Sequence, residues 1–426
     1  MNTIEMDTLL LDTLKRELIT ATGCTEPIAI ALAGAKARET LEDIPTEVEV
    51  FVSEAVMKNA KSVIVPNTHQ LKGIRAAVSA GIIAGDSKKA LDVINDIAEE
   101  EKDAISRYLK ETPFHVSTTD SEDMLDIKVV ARTKNHSVTV RIVHEHSHIV
   151  LVEKDGVILE TRPVPKPYED PEDTHLSVRA IYDFANRVDI DLVKALLDQQ
   201  IQTNTAMSEE GLVSSYGANI GSVLLKTYGD RIENRAKALA AAASDARMGG
   251  AKLPVTIVSG SGNQGITASV PVIAYAKHLH VSDEKLYRAL ILSNLITIHQ
   301  KRGVGCLSAY CGAVFSGAAS GAAIAYLHGG DYETMVHTIV NALAIVSGMI
   351  CDGAKPSCAA KIATAVDAGI LGYHMYLEGQ EFLGGDGIVL KGVENTLRNV
   401  ARLARDGMRI TNQEILKMMT ESESMS

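Results

Sequence analysis

The chain has 426 residues and a formal net charge of −12, with 46% hydrophobic and 23% charged residues. This length allows one to three domains, and the composition is typical of a globular protein rather than a disordered one. The negative charge and the lack of a basic stripe with interleaved aromatics argue against nucleic acid as a partner and favour small metabolites. Aromatic residues make up only 4%, with no Trp, so small residues are expected to do much of the helix packing.

The N-terminal stretch MNTIEMDTLLLDTLKREL has no basic region before its apolar residues, so a signal peptide is not predicted. Apolar runs such as AAVSAGIIAG are shorter than the ~18–20 residues that a membrane span needs. We therefore expect a cytoplasmic protein that does not contact membrane. In that reducing compartment the five Cys are available for metal binding or catalysis rather than for disulfides.

The first 165 residues alternate between helical and strand patterns. The expected elements are a helix over 4–40 interrupted at GCTEP (23–27), a strand over 47–52, an Ala/Gly helix near 71–84, a charged surface helix over 87–110 and a small antiparallel sheet over 113–163. His144, His146 and His148 alternate within this sheet, so in a strand all three project from one face. A metal site is one interpretation, but we expect the solvated face of a half-buried strand, outside the active site.

The second half of the chain reads as mainly helical. The clearest linker is the Pro-rich, acidic segment 161–174, and helical patterns broken by Gly-rich turns follow from 175 onward. The predicted fold class is α+β, with a mainly helical domain and a smaller domain near 46–165 that carries the antiparallel sheet. By these patterns alone, the first 45 residues could join either domain.

Three cysteines, Cys311, Cys351 and Cys358, each lie beside small residues, which would let the backbone approach a metal cluster closely. The Cys-x6-Cys spacing is not that of a zinc ribbon, and no Cys-x2-Cys pair occurs. From spacing alone, an iron–sulfur cluster and three buried structural cysteines both remain open.

The segment SGSGNQG (259–265) follows the strand-like run PVTIV. Successive amides of such a loop can form a nest for a carboxylate, and a plain tight turn is the other interpretation. The loop is neither a Walker motif nor a Rossmann fingerprint, because it lacks their spacing.

The chain resembles the L-cysteine desulfidase family in four segments that occur in order: GCTEPIAIALAGAKA (23–37), SGSGNQGITASVPV (259–272), LSAYCGAV (307–314) and GMICDGAKPSC (348–358). That family is related to the catalytic chain of iron–sulfur L-serine dehydratases and includes bacterial proteins of unassigned function. The resemblance extends from about residue 10 to about residue 400.

The resemblance implies a [4Fe–4S] cluster held by Cys311, Cys351 and Cys358, with one iron open to substrate. Such an enzyme is an amino-acid lyase that eliminates sulfide from L-cysteine and gives pyruvate, ammonia and hydrogen sulfide. The alternatives are the same machinery acting on L-serine or another β-substituted amino acid, and a non-catalytic iron–sulfur redox sensor. No Lys lies in a pattern that indicates pyridoxal phosphate.

The resemblance also points to Cys24 as the candidate catalytic thiol. We expect it to act as a base, because the helix that follows its loop would lower the pKa of the thiol. Packing beneath the loop and service as a fourth cluster ligand are the alternatives. Glu26 and Thr25 would orient this thiol or bind the substrate ammonium, or else only cap the helix.

Substrate binding is assigned through the resemblance to the glycine-rich loop and to one further position. The expected contacts are Ser261, Asn263, Gln264 and, near the PNT loop, Asn67. Cys306 lies outside the family pattern and is expected to be a small buried residue.

This mechanism requires Cys24 to meet the three cluster cysteines. Residues 1–45 are therefore predicted to join residues 170–426 in a helical, cluster-binding catalytic domain, with residues 46–169 as an inserted α+β domain. The substrate is a small-molecule amino acid. The sequence leaves the oligomeric state open, with a homodimer as the commonest arrangement.

Overall fold

A computed structural model describes residues 2–119, 121, 123–164, 176–305 and 308–421 as a mainly helical α+β fold with a smaller, sheet-bearing part. The predicted fold class is confirmed. The strands are β1 (Ile19–Thr22), β2 (Glu47–Val52), β3 (Phe114–Thr118), β4 (Asp126–Arg132), β5 (Ser137–Val143), β6 (Ile149–Lys154), β7 (Val157–Thr161) and β8 (Pro254–Ile257).

The helices fall into two groups along the chain. In the first 164 residues they are α1 (Thr3–Glu17), α2 (Thr25–Leu41), α3 (Glu54–Ala60), α4 (Gly73–Ala84) and α5 (Glu99–Glu111). From residue 176 they are α6 (Val178–Arg187), α7 (Lys194–Val213), α8 (Ile220–Tyr228), α9 (Ile232–Met248), α10 (Gly262–Leu279), α11 (Asp283–Arg302), α12 (Ala313–Leu327), α13 (Tyr332–Ile345), α14 (Ser357–Leu377), α15 (Val393–Arg402) and α16 (Arg409–Glu421).

The sheet-bearing part contains six strands in the order β3-β2-β4-β5-β6-β7. The pairs from β2 to β7 are antiparallel, as predicted, but β3 pairs parallel to β2. The reason lies in the connection, since α3, α4 and α5 cross over between the two strands and a crossover of that length permits parallel pairing. The sheet is therefore mixed, not purely antiparallel.

Two predicted helices are interrupted in the structure. The region 87–110 is a 3₁₀ segment over Ser87–Asp92, kinked at Ala90 where φ is 47°, and α5 begins only at Glu99. The break predicted at 23–27 is present, but a strand that was not predicted, β1, precedes it and pairs antiparallel with β8. Strand β1 depends on β8, a partner remote in sequence, and the kink depends on the dihedral angles of one residue, Ala90. A periodic pattern of hydrophobic residues contains neither kind of information.

Helices α2 and α4 pack closely through small residues. A Cβ atom added at Gly81 would lie 1.9 Å from the Ala31 carbonyl oxygen, and one added at Gly34 would lie 2.8 Å from that of Val78. Helices α12 and α14 also pack closely at a glycine, since a Cβ at Gly317 would lie 2.3 Å from the Ala365 carbonyl oxygen. The expectation that small residues carry much of the helix packing is confirmed.

The first 45 residues divide between the two parts of the fold. Helix α1 packs on α11 and α6, and β1 pairs with β8, all in the helical part. Helix α2, in contrast, packs on α4, β4 and β5. Its Ala-rich surface is buried almost all round, so it fills the space beneath the sheet. The predicted grouping of residues 1–45 with the helical part therefore does not describe α2.

Candidate functional site

A cavity of about 630 Å³ lies where the sheet-bearing part meets the helical part. Its walls come from the start of α2, the β5–β6 loop, the end of α9, the β8–α10 loop and the segments before α12 and α14. The volume is in the range of small-molecule sites. Four cysteines line it, namely Cys24, Cys311, Cys351 and Cys358, and all four are free thiols.

Short backbone pairing aligns two of these cysteines. Tyr310 and Ile350 form an antiparallel bridge, the Cys311 amide donates to the Met349 carbonyl (3.0 Å) and the Cys351 amide donates to the Ala309 carbonyl (2.6 Å). Cys358 is the second residue of α14, and its Sγ lies 3.7 Å from the Gly353 carbonyl oxygen. The pairing of two segments and the start of α14 therefore place the three thiols on one wall of the cavity.

The three thiols are close enough to affect one another's ionisation. Burial, reinforced by the charge of Cys351, raises the pKa of Cys311 to about 12. Burial also raises the pKa of Cys358, and Cys351 adds to that rise. Among the described residues, no three His, Cys, Asp or Glu side chains are grouped for a single metal ion. Three cysteine thiolates are nevertheless a donor set of the kind that iron–sulfur clusters use.

Positive side chains support the cysteine segments. Lys58 is only 2% exposed, and its Nζ donates to the carbonyls of Ser308 (3.3 Å) and Cys351 (3.2 Å) and to Asn412 Oδ1 (2.6 Å). Lys361 pairs with Asp352, and its Nζ donates to the Ile350 carbonyl (2.7 Å). These amines hold the backbone on both sides of Cys351.

Cys24 lies between β1 and α2, as the N-cap residue of α2. It is 2% exposed, its Sγ is 3.8 Å from Met248 Sδ, and it packs beside Cys358. Burial raises the pKa of the Cys24 thiol to about 12. The sequence-based expectation was a pKa lowered by the helix dipole, and that expectation is wrong because desolvation outweighs the dipole at this depth.

The two residues after Cys24 bind the neighbouring segments. Thr25 Oγ1 donates to the Gly260 carbonyl (2.8 Å), which ties α2 to the β8–α10 loop. Glu26 is 9% exposed, lines the cavity, and accepts a hydrogen bond from Asn59 Nδ2 at Oε1 (2.8 Å). Thr25 thus positions backbone, whereas Glu26 presents a buried carboxylate to the cavity.

The glycine-rich loop forms a tight turn that leads into α10. Ser259 and Gly260 have φ values of 49° and 74°, and the backbones of Val258 and Ser261 bond to each other in both directions. Ser261 is the N-cap residue, its Oγ accepting from the Gln264 amide (3.4 Å). The loop is therefore a tight turn that leads directly into a helix, and its use as a nest for a carboxylate stays a prediction.

Side chains from α10 and α9 meet beneath this loop. Asn263 Oδ1 accepts from Arg247 Nη1 (3.2 Å) and from Ser244 Oγ (3.3 Å). Gln264 is 3% exposed and its Oε1 has no hydrogen-bond partner among the described residues. A Cβ at Gly312 would lie 2.8 Å from that oxygen, which places Gln264 beside the Cys311 segment.

The three histidines do not lie on a strand face. Strand β5 ends at Val143, and His144, with φ of 65°, begins a turned loop. His144 and His146 line the cavity, whereas His148 Nε2 contacts the Pro163 carbonyl (3.1 Å) away from it. His144 and His146 therefore line the candidate cavity, where none of the three was expected, because a loop lets successive side chains diverge.

His146 reaches the glycine-rich loop from the sheet-bearing part. Its ring atoms Cε1 and Nδ1 lie 3.1 and 3.2 Å from the position of a Cβ at Gly260. Its Nε2 is buried and has no hydrogen-bond partner within the described ranges. Burial lowers the pKa of His146 below the ordinary 6.5, so the imidazole is neutral at pH 7.

Two candidates from the sequence fall outside the cavity or the described residues. The Asn67 amide donates to the carbonyls of Ile94 (3.1 Å) and Asn95 (3.2 Å), and Asn67 does not line the cavity. Its side chain holds a loop instead of facing the other candidate substrate contacts. Cys306 lies outside the described residues, as does most of the predicted linker.

Comparison with known proteins identifies the family of the chain. A family model described as serine dehydratase alpha chain matches residues 88–417, a span that includes Cys311, Cys351 and Cys358. The chain belongs to the serine dehydratase alpha-chain family. This confirms the predicted relation to the iron–sulfur serine dehydratases, while L-cysteine as the substrate stays a prediction.

Similar proteins cover nearly the whole chain, including the segment around Cys24. A UPF0597 protein of Desulfitobacterium hafniense is 56% identical over 96% of both chains. A UPF0597 protein of Lachnoclostridium phytofermentans is 50% identical over 96% of this chain and 99% of its own. A UPF0597 protein of Finegoldia magna is 46% identical over 96% of this chain and 98% of its own. Within the described part of this family member, no helix is long and apolar enough to cross a membrane.

The site residues that sequence reasoning missed are Arg247 and His146. Arg247 lies in the last turn of α9, in the Ala-rich run AAAASDARM, where a charged residue interrupts an otherwise buried helix. That interruption was a usable signal, since buried charges are rare without a partner. His146 carried no comparable signal, because its position depends on where the β5–β6 loop turns.

Proposed function

We propose that this chain is an iron–sulfur lyase that eliminates sulfide from L-cysteine, giving pyruvate, ammonia and hydrogen sulfide. The observation that carries the proposal is the convergence of Cys311, Cys351 and Cys358 with Glu26 and His146 on one cavity of small-molecule size. Membership of the serine dehydratase alpha-chain family supports the reaction class, since a dehydratase also removes a β-substituent from an amino acid.

Cys311, Cys351 and Cys358 would hold a [4Fe–4S] cluster. Such a cluster, when bound with one iron lacking a protein ligand, supplies a Lewis acid that polarises the leaving group. The buried amine of Lys58 and the amine of Lys361, which hold the backbone at Ile350 and Cys351, place positive charge beside three thiolates.

We assign removal of the α-proton to His146 rather than to Cys24. The burial that raises the Cys24 pKa to about 12 leaves a thiol at neutral pH, which cannot accept a proton. His146 offers a neutral imidazole with Nε2 unpartnered among the described residues. Cys24 packs beside Cys358 and would become a thiolate on binding iron, which releases the proton, so it fits the role of a fourth cluster ligand in the resting protein.

The remaining polar groups bind and orient the amino acid. Glu26 presents a buried carboxylate for the substrate ammonium, oriented by Asn59 and by Thr25, whose Oγ1 is 3.3 Å from Glu26 Oε2. Gln264 Oε1 provides a second buried acceptor near the Cys311 segment. Ser261 and Asn263 fix the start of α10, so their contribution is to position its amides.

L-serine is the second candidate substrate. The family to which the chain belongs, described as serine dehydratase alpha chain, favours L-serine. The cavity would treat the two amino acids alike except at the β-substituent, where hydroxide replaces sulfide as the leaving group. The same residues would therefore act in the same roles.

The test is an anaerobic assay of iron–sulfur-reconstituted protein with L-cysteine and L-serine offered separately. We expect pyruvate and sulfide from L-cysteine. Pyruvate from L-serine alone would move the assignment to a dehydratase, and a cluster-loaded protein that releases pyruvate from neither would support the non-catalytic alternative and overturn the lyase proposal.

The cluster assignment has its own test in Cys351→Ser, with Cys306→Ser as the matched control. We expect Cys351→Ser to lose most of the iron bound per chain after reconstitution, because a hydroxyl is a poor ligand for an iron–sulfur cluster. Cys306→Ser is expected to keep its iron. Equal iron content in both variants, measured by metal analysis and by the visible absorbance of the cluster, would contradict the assignment.

A further inference from the structure

Arg247 is a buried cation without a carboxylate partner among the described residues. It is 4% exposed, lines the cavity, and its Nε has no hydrogen-bond partner within the described ranges. The nearby acid on the same helix, Asp245, accepts hydrogen bonds from the amides of Ile220 (2.6 Å) and Ala218 (3.3 Å) instead. A buried guanidinium with an unused donor is unfavourable unless an anion completes it.

The unused donor lies against the start of α10. A Cβ placed at Gly262 would lie 2.3 Å from Arg247 Nε and 2.6 Å from its Cζ, so only a glycine lets the guanidinium lie on this backbone. Asn263 Oδ1 accepts a hydrogen bond from Arg247 Nη1 (3.2 Å) and fixes the orientation of the guanidinium group. The guanidinium and the first-turn amides of an 18-residue helix therefore meet at one end of the cavity.

The same short loop joins this point to the proposed base. His146 contacts the loop at Gly260, and Arg247 contacts it at Gly262, two residues along the chain. An anion on Arg247 would therefore lie in the same cavity as the imidazole, on the same short loop. An α-amino acid has this geometry, since its carboxylate is one bond from the carbon that must lose a proton.

We propose that Arg247 and the N-terminus of α10 form the binding site for the α-carboxylate of the substrate, and so restrict the enzyme to free α-amino acids. Planar guanidinium groups suit carboxylates because two parallel hydrogen bonds can form. The inference rests on the proposed function for the identity of the amino acid, but not for the presence of a carboxylate site.

Equilibrium binding of L-alanine to the full-length reconstituted protein tests the carboxylate site without turnover, because L-alanine has no leaving group. L-alaninamide, which lacks the negative charge, is the comparison ligand. Wild-type protein is expected to bind L-alanine about 10- to 100-fold more tightly than L-alaninamide, as one charge-assisted hydrogen-bonded pair provides. Equal affinities, or no measurable binding of L-alanine, overturn the inference whatever any variant does.

Arg247→Gln is the variant, with Arg247→Lys as the conservative form and Arg405→Gln as the matched control. Arg405 pairs with Asp406 at the rim of the cavity. We expect Arg247→Gln to abolish the preference for L-alanine, Arg247→Lys to restore part of it, and Arg405→Gln to keep it. An unchanged preference in a folded Arg247→Gln protein, checked by its thermal midpoint, overturns the inference.

The two proposals fail separately in these experiments. Charge-dependent L-alanine binding in a protein that releases pyruvate from neither L-cysteine nor L-serine would leave the carboxylate site standing and remove the lyase function. Turnover of L-cysteine by a protein that binds L-alanine and L-alaninamide equally would keep the function and remove the Arg247 site.

Discussion

At Cys24, the helix dipole and burial act in opposite directions on one thiol. The dipole contributes at most ~2 kcal/mol, whereas full burial can shift a pKa by several units, each worth about 1.4 kcal/mol. Burial prevails and raises the Cys24 pKa to about 12. The same desolvation lowers the pKa of His146, because it disfavours the charged form of either group. Desolvation therefore argues against Cys24 as the base and favours His146.

Replacing the proposed base should remove turnover without removing iron. His146→Gln is expected to lower kcat about 10²- to 10⁴-fold, the usual contribution of a general base, with the cluster absorbance unchanged. His148→Gln is the matched control, since His148 contacts the Pro163 carbonyl outside the cavity and should behave as wild type. Wild-type kcat in His146→Gln would contradict the assignment.

The pH profile of kcat/KM distinguishes His146 from Cys24 as the base, because the two predict changes in opposite pH ranges. A depressed His146 pKa means that the neutral imidazole is present at pH 7 and is lost only as pH falls below an ionisation that lies under 6.5. The expected profile of kcat/KM is flat near neutrality and falls on the acid side. A thiolate base with a pKa near 12 would instead give a rate that rises throughout the alkaline range.

At the scale of elements, the close pair α2 and α4 positions the Cys24 segment. Helix α2 begins directly after Cys24, and its register along α4 is set where Gly81 meets the Ala31 carbonyl. Gly23, just before, has a φ of 76°, and a Cβ there would lie 2.2 Å from Pro66 Cγ. The path of the chain into the cavity thus depends on glycines at points of close approach.

The helix contact can be tested with one methyl group. Gly81→Ala would place a Cβ 1.9 Å from a backbone oxygen that cannot move alone, so we expect the free energy of unfolding to fall by about 1–3 kcal/mol. Gly348→Ala is the control, because nothing lies within 4 Å of its added Cβ, and its change should stay within about 0.5 kcal/mol. Equal urea denaturation curves for the two variants would contradict this packing argument.

At the scale of the whole molecule, Lys58 joins three separate regions. It belongs to α3 in the sheet-bearing part, and its amine bonds to the two cysteine-bearing segments at Ser308 and Cys351 and to Asn412 of α16. Burial lowers the pKa of this amine, and the negative charges of Cys351 and Glu26 partly offset that shift. The cavity is therefore held together across its two halves by one buried side chain.

Removing that amine should affect stability and iron together. Lys58→Met leaves one buried and two partly buried acceptors without their donor, so we expect a loss of about 2 kcal/mol in the free energy of unfolding and less iron retained after reconstitution. Lys61→Met is the control, at the C-cap of the same helix, where the amine bonds to the Met419 carbonyl. Iron retention equal to that of the control would contradict the anchoring role.

Much of the local structure was accessible from the sequence. The alternating runs marked β2 and β4–β6, the Gly-rich loop preceded α10, and the small residues around Cys311, Cys351 and Cys358 marked segments that do line one cavity. These features are local because period, turn chemistry and residue size act over a few residues. The pairing of β3 parallel to β2 was not accessible, because it depends on a crossover of three helices.

The sequence by itself determined the fold class and the family, since periodic burial and a set of ordered segments are properties of the chain. Only the tertiary structure decided which ionisable groups are deeply buried. The depth of Cys24, the unused donor of Arg247 and the buried Nε2 of His146 arise where α2, α9 and the β5–β6 loop meet. Desolvation depends on every neighbour at once, so no local pattern contains it.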